Sequence, residues 1–295
     1  MQTLLPTLAI LLCHFLTGTA SVCTRYLVSF LDPVEIAFLR YLFGGLALLP
    51  LFYFYRVNVL NRVMVLKIIS LGVLFFAVFP FLFSWAFVYT NAARGALVLA
   101  TMPIWTMIIL KIMGYEKASG LSVIATCLAL VGLAVALSDK LFEDSAEITL
   151  FKGELIMLVT ALVGAIYSIF SRKVLRYIPA SNFTPIAMLA GCSFLLPFAY
   201  HNGITVDYKA LSSFQMGIMA YLGVFAGGLA FFLFNWSLNR TTATFATLFV
   251  TVNPVTAIFL GNLFLDETIK QNFIIGVLIV FAGLGLAVYS QQQEQ

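Results

Sequence analysis

Long apolar runs, separated by short breaks that carry charge, proline or glycine, dominate this sequence of 295 residues. A membrane-spanning helix needs roughly 20 mostly apolar residues, and ten such stretches can be placed. Their predicted bounds are 4–24, 34–55, 66–89, 93–113, 119–138, 153–171, 183–200, 215–238, 243–264 and 272–290. Transmembrane β-strands would alternate polar and apolar residues over about ten positions, and these runs do not. The sequence therefore predicts an all-α polytopic membrane protein with ten transmembrane helices.

Composition narrows the class of protein further. Hydrophobic residues make up 62% of the chain and charged residues 9%, whereas about a quarter of a soluble domain is charged. These values exclude a soluble globule, a disordered chain and a disulfide-stabilised secreted domain. The net charge of +4 is too small and too dispersed for a nucleic-acid partner, and two histidines leave little material for a metal site. We expect no cofactor and no metal, with a lipid bilayer and a small-molecule substrate as partners.

The second half of the sequence repeats the first. An offset of 147 aligns Ser21 with Ser168 and Arg25 with Arg172, and an offset of 151 applies further along the chain. The longer offset aligns identical residues at Trp85 and Trp236, Pro103 and Pro254, Glu116 and Glu267, and Gly132 and Gly283. Identities of Arg, Trp, Pro and Glu, in order and in register, indicate an internal duplication.

The duplication predicts the domain organisation and the topology. The predicted units are a first five-helix repeat at 1–138, an acidic linker loop at 139–152 and a second five-helix repeat at 153–295. Because five is odd, the second repeat is inverted about a pseudo-two-fold axis in the membrane plane, and both termini share one face. Loops on that face hold nine Lys and Arg residues and the opposite loops hold six. The positive side is cytoplasmic, so we predict a multi-pass protein of the cytoplasmic (inner) membrane with both termini cytoplasmic.

A family resemblance rests on two groups of residues. The segment after the first span reads LDPVEIAFLRYLFGGLALLP, and the spacing from Pro103 to Glu116 recurs from Pro254 to Glu267. In these features the chain resembles the EamA family of the drug/metabolite transporter superfamily, whose members carry very different metabolites. The resemblance implies a secondary transporter of ten helices in two inverted five-helix repeats. It also implies a central cavity walled mainly by helices 1, 3, 4, 6, 8 and 9, with helices 5 and 10 at the periphery.

Helix 1 carries the clearest polar pattern inside a span. His14, Thr17 and Ser21 fall at i, i+3 and i+7 among Leu, Ile, Phe and Val, so they share one face of the helix. Such a stripe faces a bundle interior or a water-filled path. It forms either a cavity wall, with His14 as a substrate or proton contact, or a packing surface between helices. The aligned helix 6 has a weaker stripe that includes Tyr167 and Ser168.

Arg40 is a charged residue inside the second span. It lies seven positions after Pro33, or ~10 Å along the helix axis. A guanidinium at this depth could hold a substrate carboxylate or phosphate. The alternatives are that the side chain reaches back to the membrane interface or pairs with Asp32 or Glu35.

Pro103 and Pro254 lie mid-span in helices 4 and 9. A proline there frees a carbonyl one turn back and bends the helix. These bends serve either gating and substrate contact or packing alone. Trp105, Thr251 and Asn253 lie beside the prolines, and we predict that all three contribute to the substrate site.

Aromatic residues and one amide could line the same cavity. Phe79, Phe83, Trp105 and Tyr167 would suit an amphipathic organic substrate, and Asn235 adds a polar group in helix 8. Lipid-facing positions and interfacial belts are the alternative places for aromatic side chains in a membrane protein.

These features predict a secondary transporter that works by alternating access around a mid-membrane cavity. The family resemblance implies export, with amino acids or similar small amphipathic metabolites as the substrates. No Asp or Glu lies deep in any span, so we expect uncoupled or exchange-type transport. An intramembrane enzyme is the first alternative, and the sequence has no nucleophile or metal motif for it. A channel or scaffold protein is the second, and no repeated filter or charged ring is visible.

Small residues mark helix faces that can pack closely. Helix 5 contains Gly132-x-x-x-Ala136, and helix 10 contains Gly283-x-x-x-Ala287 at the aligned positions. Patterns of small residues four apart let two helix backbones approach each other in a membrane. The predicted contacts are either intramolecular or the interface of a homodimer through helices 5 or 10.

Overall fold

The computed structural model describes residues 4–27, 30–54, 61–86, 89, 92–114, 119–138, 150–201, 211–265 and 271–293, and within these ranges it contains helices and no strand. The helices are α1 (Leu4–Leu27), α2 (Pro33–Phe54), α3 (Arg62–Ala86), α4 (Ala92–Leu99 and Met102–Ile112), α5 (Gly120–Ala136), α6 (Leu150–Leu175), α7 (Ala180–His201), α8 (Ser213–Leu238), α9 (Ala243–Leu248, Phe249–Thr251 and Val252–Leu265) and α10 (Gln271–Gln293). Each predicted apolar run coincides with one of these helices.

The helices of the described ranges have the dimensions of membrane spans. Nine are long and apolar enough to cross a membrane, and α5 is a shorter apolar helix of 17 residues. A length of 17 is at the lower limit for a helix that crosses the hydrocarbon core. The prediction of an all-helical, membrane-spanning fold is confirmed. The arrangement as two inverted repeats stays a prediction.

Two helices contain a widened turn, and two are interrupted beside a proline. The π-helical turns are Leu74–Val78 in α3 and Val224–Leu229 in α8, where hydrogen bonds to the fifth residue expand the helix. In α4 the helical bonding stops before Met102–Ile112, whose second residue is Pro103, and in α9 a 3₁₀ turn precedes Pro254. Proline has no N–H to donate and its ring crowds the preceding turn, which explains both interruptions.

The small residues of α5 and α10 pack against each other. A Cβ on Gly132 would lie 2.6 Å from the backbone nitrogen of Val280, and a Cβ on Gly283 would lie 2.8 Å from that of Ala129. Both distances are below van der Waals contact, so only glycine permits this approach. The sequence allowed two roles for these faces, an intramolecular contact or a dimer interface. In the structure the faces of α5 and α10 are in contact within one chain.

Candidate functional site

A polar contact between α1 and α9 brings together three of the predicted site residues. His14 Nδ1 lies 3.0 Å from the side-chain oxygen of Asn253, and the Thr17 hydroxyl donates to the same oxygen at 2.9 Å. Because an amide oxygen only accepts hydrogen bonds, Nδ1 is the donor and carries the proton in this arrangement. The backbones meet closely here, since a Cβ on Gly18 would lie 2.9 Å from the carbonyl oxygen of Asn253.

The second ring nitrogen of His14 has no hydrogen-bond partner in the structure. His14 is 5% exposed, and its Nε2 is buried without a hydrogen-bond partner. The Phe234 ring meets the imidazole edge-on at 6.0 Å between centroids, and the Ala246 carbonyl lies near the imidazole. A buried polar atom without a partner costs about 1–3 kcal/mol. His14 therefore combines a ring held by Asn253 with a buried Nε2 that has no hydrogen-bond partner.

A second polar network connects α6, α7 and α8. The Tyr167 hydroxyl donates to the side-chain oxygen of Asn235 at 3.2 Å, and the Asn235 amide donates to the Thr184 hydroxyl at 3.1 Å. All three side chains are fully buried. Hydrogen bonds between helices contribute modestly to the stability of a membrane bundle, on the order of 1 kcal/mol each. Tyr167 and Asn235 were singled out from the sequence, and Thr184 was not.

We expect Asn235→Leu to destabilise the protein more than Tyr167→Phe. The leucine removes both hydrogen bonds of the network and the donor to the buried Thr184 hydroxyl, at about 2–3 kcal/mol, whereas the phenylalanine removes one hydrogen bond, at about 1 kcal/mol. Thermal unfolding of the detergent-purified variants measures the difference, with Ser193→Ala on the exposed face of α7 as the control. Equal losses from the two variants would show that the hydrogen bond from Asn235 to Thr184 does not contribute to stability.

An aromatic core lies between the two polar groups. The Phe234 ring lies 6.0 Å from His14 and 6.5 Å from Tyr167, between ring centroids. Tyr167 also stacks on Phe75, at 3.9 Å between ring centroids with an interplanar angle of 15°. Neither Phe75 nor Phe234 was predicted as a site residue. In a chain with 29 phenylalanines, residue type alone does not distinguish them.

The other predicted aromatic residues lie away from His14, although the Phe79 ring reaches the aromatic core through Phe75, at 4.9 Å between ring centroids. Phe79 and Phe83 stack on each other at 6.1 Å between centroids. Together with Trp105 they pack against a buried apolar cluster that includes Met102 and Ala161. The structure therefore does not bring these three rings into the His14 contact.

Several predicted hydroxyls are satisfied within their own helices. The Ser168 hydroxyl donates to the Gly164 carbonyl at 2.9 Å, and the Thr251 hydroxyl donates to the Leu248 carbonyl at 2.9 Å. Both side chains are fully buried. The side chain of Ser21 lies outside the described part of the structure. The residues Glu116 and Glu267 also lie outside it.

Arg40 contacts a backbone carbonyl of α8. Its Nη2 donates to the Ala226 carbonyl at 2.7 Å, inside the π turn Val224–Leu229, while its Nε is buried without a partner. Among the described residues, no carboxylate forms an ion pair with Arg40, neither Asp32 nor Glu35. The two local pairings considered for Arg40 are thus replaced by a contact with a residue 186 positions away.

The fold and the buried polar contacts define an all-helical, membrane-spanning protein with interhelical polar groups in its interior. The profile of the EamA-like transporter family matches residues 4–138 and again residues 151–289. The chain belongs to this family of membrane transporters.

Relatives of known sequence and structure support the assignment to the family. An uncharacterized transporter of Archaeoglobus fulgidus is 23% identical, and the match covers 92% of this chain and 94% of that protein. The S-adenosylmethionine uptake transporter of Rickettsia prowazekii is 24% identical, with 96% and 94% covered. A protein of known crystal structure superimposes with a TM-score of 0.83 over 98% of each chain, at 18% identity. At that identity the structural likeness shows a common fold and nothing more.

Proposed function

We propose that this protein is a secondary transporter that moves amino acids or similar small amphipathic metabolites by alternating access. The observation that carries the proposal is the contact of His14 and Thr17 with Asn253, which places an unpartnered ring nitrogen inside a membrane-spanning helix. Polar groups at such positions line substrate paths in transporters. The transport is of the uncoupled or exchange type, with export as the direction that the family resemblance suggests.

Close helix contacts support an inverted arrangement of two repeats. A Cβ on Gly44 of α2 would lie 2.9 Å from the Gly223 carbonyl oxygen on α8. Gly191 of α7 aligns with Gly44, and a Cβ on Gly191 would lie 2.8 Å from the Gly72 carbonyl oxygen on α3. Gly72 is in turn the residue that aligns with Gly223. The same contact therefore occurs twice, with the two halves of the chain exchanged, as a two-fold axis between the repeats requires.

The two proposed repeats have different side chains at the positions that form the α1–α9 contact. The positions aligned with His14 and Asn253 are Ala161 and Met102, which lie together in a buried apolar cluster. The inversion puts the α1–α9 contact and the α4–α6 contact on opposite sides of the membrane midplane. We propose that they open alternately, with the interruptions beside Pro103 and Pro254 as the bending points.

The proposed site contains predicted residues from both halves of the chain. Substrate meets His14, Thr17 and Asn253 at the α1–α9 contact, and Tyr167 and Asn235 close the site from the second half. The remaining proposed contributors are Ser21, Arg40, Phe79, Phe83, Trp105, Ser168 and Thr251. The proposed location is the cytoplasmic membrane, with both termini in the cytoplasm.

Counterflow in proteoliposomes tests the proposal. Vesicles that contain the purified protein are loaded with an unlabelled solute, either a single amino acid or S-adenosylmethionine, and the accumulation of external labelled solute is measured. A carrier gives saturable accumulation that depends on the internal solute, whereas a channel gives unsaturable flux and single-channel currents. Absence of counterflow for every solute in the panel would refute the proposed substrate class.

A further inference from the structure

The position of Arg40 requires an explanation beyond packing. The residue lies within the membrane-spanning segment Val34–Phe54, and its side chain is half-buried against the π turn of α8. A Cβ on Gly227 would lie 3.2 Å from the Arg40 carbonyl oxygen, so the backbones of α2 and α8 approach each other closely at Arg40. The arginine therefore lies at a helix contact inside the bundle.

The contact with Ala226 does not neutralise this charge. The Ala226 carbonyl accepts one hydrogen bond from Arg40, whereas the guanidinium has five N–H groups and a full positive charge. Among the described side chains no Asp or Glu pairs with Arg40, and Nε is buried without a partner. A charge in the membrane interior costs several kcal/mol unless it is paired or hydrated. An anionic ligand would provide the missing partner.

The groups around Arg40 favour one class of anion. The Tyr41 ring lies 5.6 Å from the guanidinium carbon, and Tyr41 packs on Phe76 at 5.2 Å between ring centroids. Cys13 and Cys23 of α1 are close enough to Arg40 for an electrostatic interaction, so the helix that carries His14 is near the guanidinium. A planar carboxylate matches a guanidinium fork, and the rings next to it suit an apolar or cationic body.

We propose that Arg40 binds the carboxylate of the transported solute and restricts transport to carboxylate-bearing substrates, such as amino acids and their derivatives. This inference rests on the proposed function. The bond from Nη2 to the Ala226 carbonyl holds the guanidinium in place, and Nε and the remaining N–H groups bind the carboxylate. A single arginine, without a second cation next to it among the described residues, matches a monoanion better than a phosphate dianion.

Matched ligand pairs test the inference without a need to know the physiological substrate. Thermal unfolding of the purified protein is titrated with benzoate against benzyl alcohol, phenylalanine against phenethylamine, and S-adenosylmethionine against its decarboxylated form. We expect a carboxylate member of a pair to half-saturate at a concentration at least tenfold lower than its partner. We expect Arg40→Gln to remove the preference for the carboxylate ligands. Arg40→Lys should reduce this preference, because an ammonium lacks the two parallel N–H donors with which a guanidinium binds a carboxylate. Lys67→Gln, at an exposed position of α3, is the control for loss of one positive charge.

The outcomes separate this inference from the proposed function. No carboxylate preference in the wild-type protein, or an equal preference in Arg40→Gln, would overturn the role of Arg40 even if counterflow is observed. Stronger stabilisation by inorganic phosphate than by benzoate would replace the carboxylate with a phosphate group. If Arg40→Gln does not fold, the wild-type ligand pairs and Arg40→Lys still decide the matter. A carboxylate preference without counterflow would leave Arg40 as a binding residue and refute the carrier.

Discussion

Replacing Gly276 with leucine is expected to prevent α10 from packing on α5 and to abolish the folded state. Any Cβ at this position would overlap the backbone of Ala136, and backbone atoms have no alternative rotamer. Overpacking of a buried position costs about 1–3 kcal/mol of folding free energy. Because a leucine side chain would overlap backbone atoms here, we expect a cost at or above the upper end of that range. Size-exclusion profiles and thermal unfolding in detergent measure the loss.

The same helix provides the control. Gly285 of α10 is exposed, and a Cβ there would meet nothing within 4 Å. Gly285→Leu is therefore expected to retain the folded state, because it adds an apolar group on a face that lipid or detergent covers. If Gly276→Leu remained as stable as Gly285→Leu, the described packing of α5 on α10 would be incorrect.

Removing either side chain of the α1–α9 contact is expected to lower counterflow at least tenfold. His14→Leu deletes the available ring nitrogen, and Asn253→Leu deletes the oxygen that fixes His14 and Thr17. Because both residues act in one contact, we expect the double variant to be little worse than either single variant. Initial rates of counterflow in proteoliposomes provide the measurement.

The control for the His14 prediction is Ser193→Ala, at an exposed position of α7 whose hydroxyl bonds only within its own helix. This variant should transport at the wild-type rate. Full transport by His14→Leu, with normal expression and unfolding temperature, would exclude the α1–α9 contact as the substrate site. Additive losses in the double variant would place His14 and Asn253 in independent roles.

The helices could be predicted from the sequence because lipid leaves few choices. A backbone in the hydrocarbon core must satisfy its own hydrogen bonds, so every long apolar run becomes a helix whatever it packs against. The polar stripe of helix 1 is a local pattern of the same kind, and it identified His14 and Thr17 before their partner was known. Asn253 was selected separately, from its place beside Pro254.

The pairing of distant residues was not visible in the sequence. Arg40 could be matched only with Asp32 and Glu35, which are near it in the chain, and its partner proved to be the Ala226 carbonyl. Thr184 has no pattern that connects it with Asn235, and Phe234 is one phenylalanine among many. The π turns of α3 and α8 have no distinctive composition either.

For this protein, apolar length determined the number of helices and their approximate positions, and helical periodicity determined the inward-facing polar stripe of helix 1. The tertiary structure decided which inward-facing groups meet, because contacts such as His14 with Asn253 depend on where glycines let two backbones approach. Helix formation in lipid is a local requirement of the backbone. Helix packing is a property of two surfaces that are far apart in the chain.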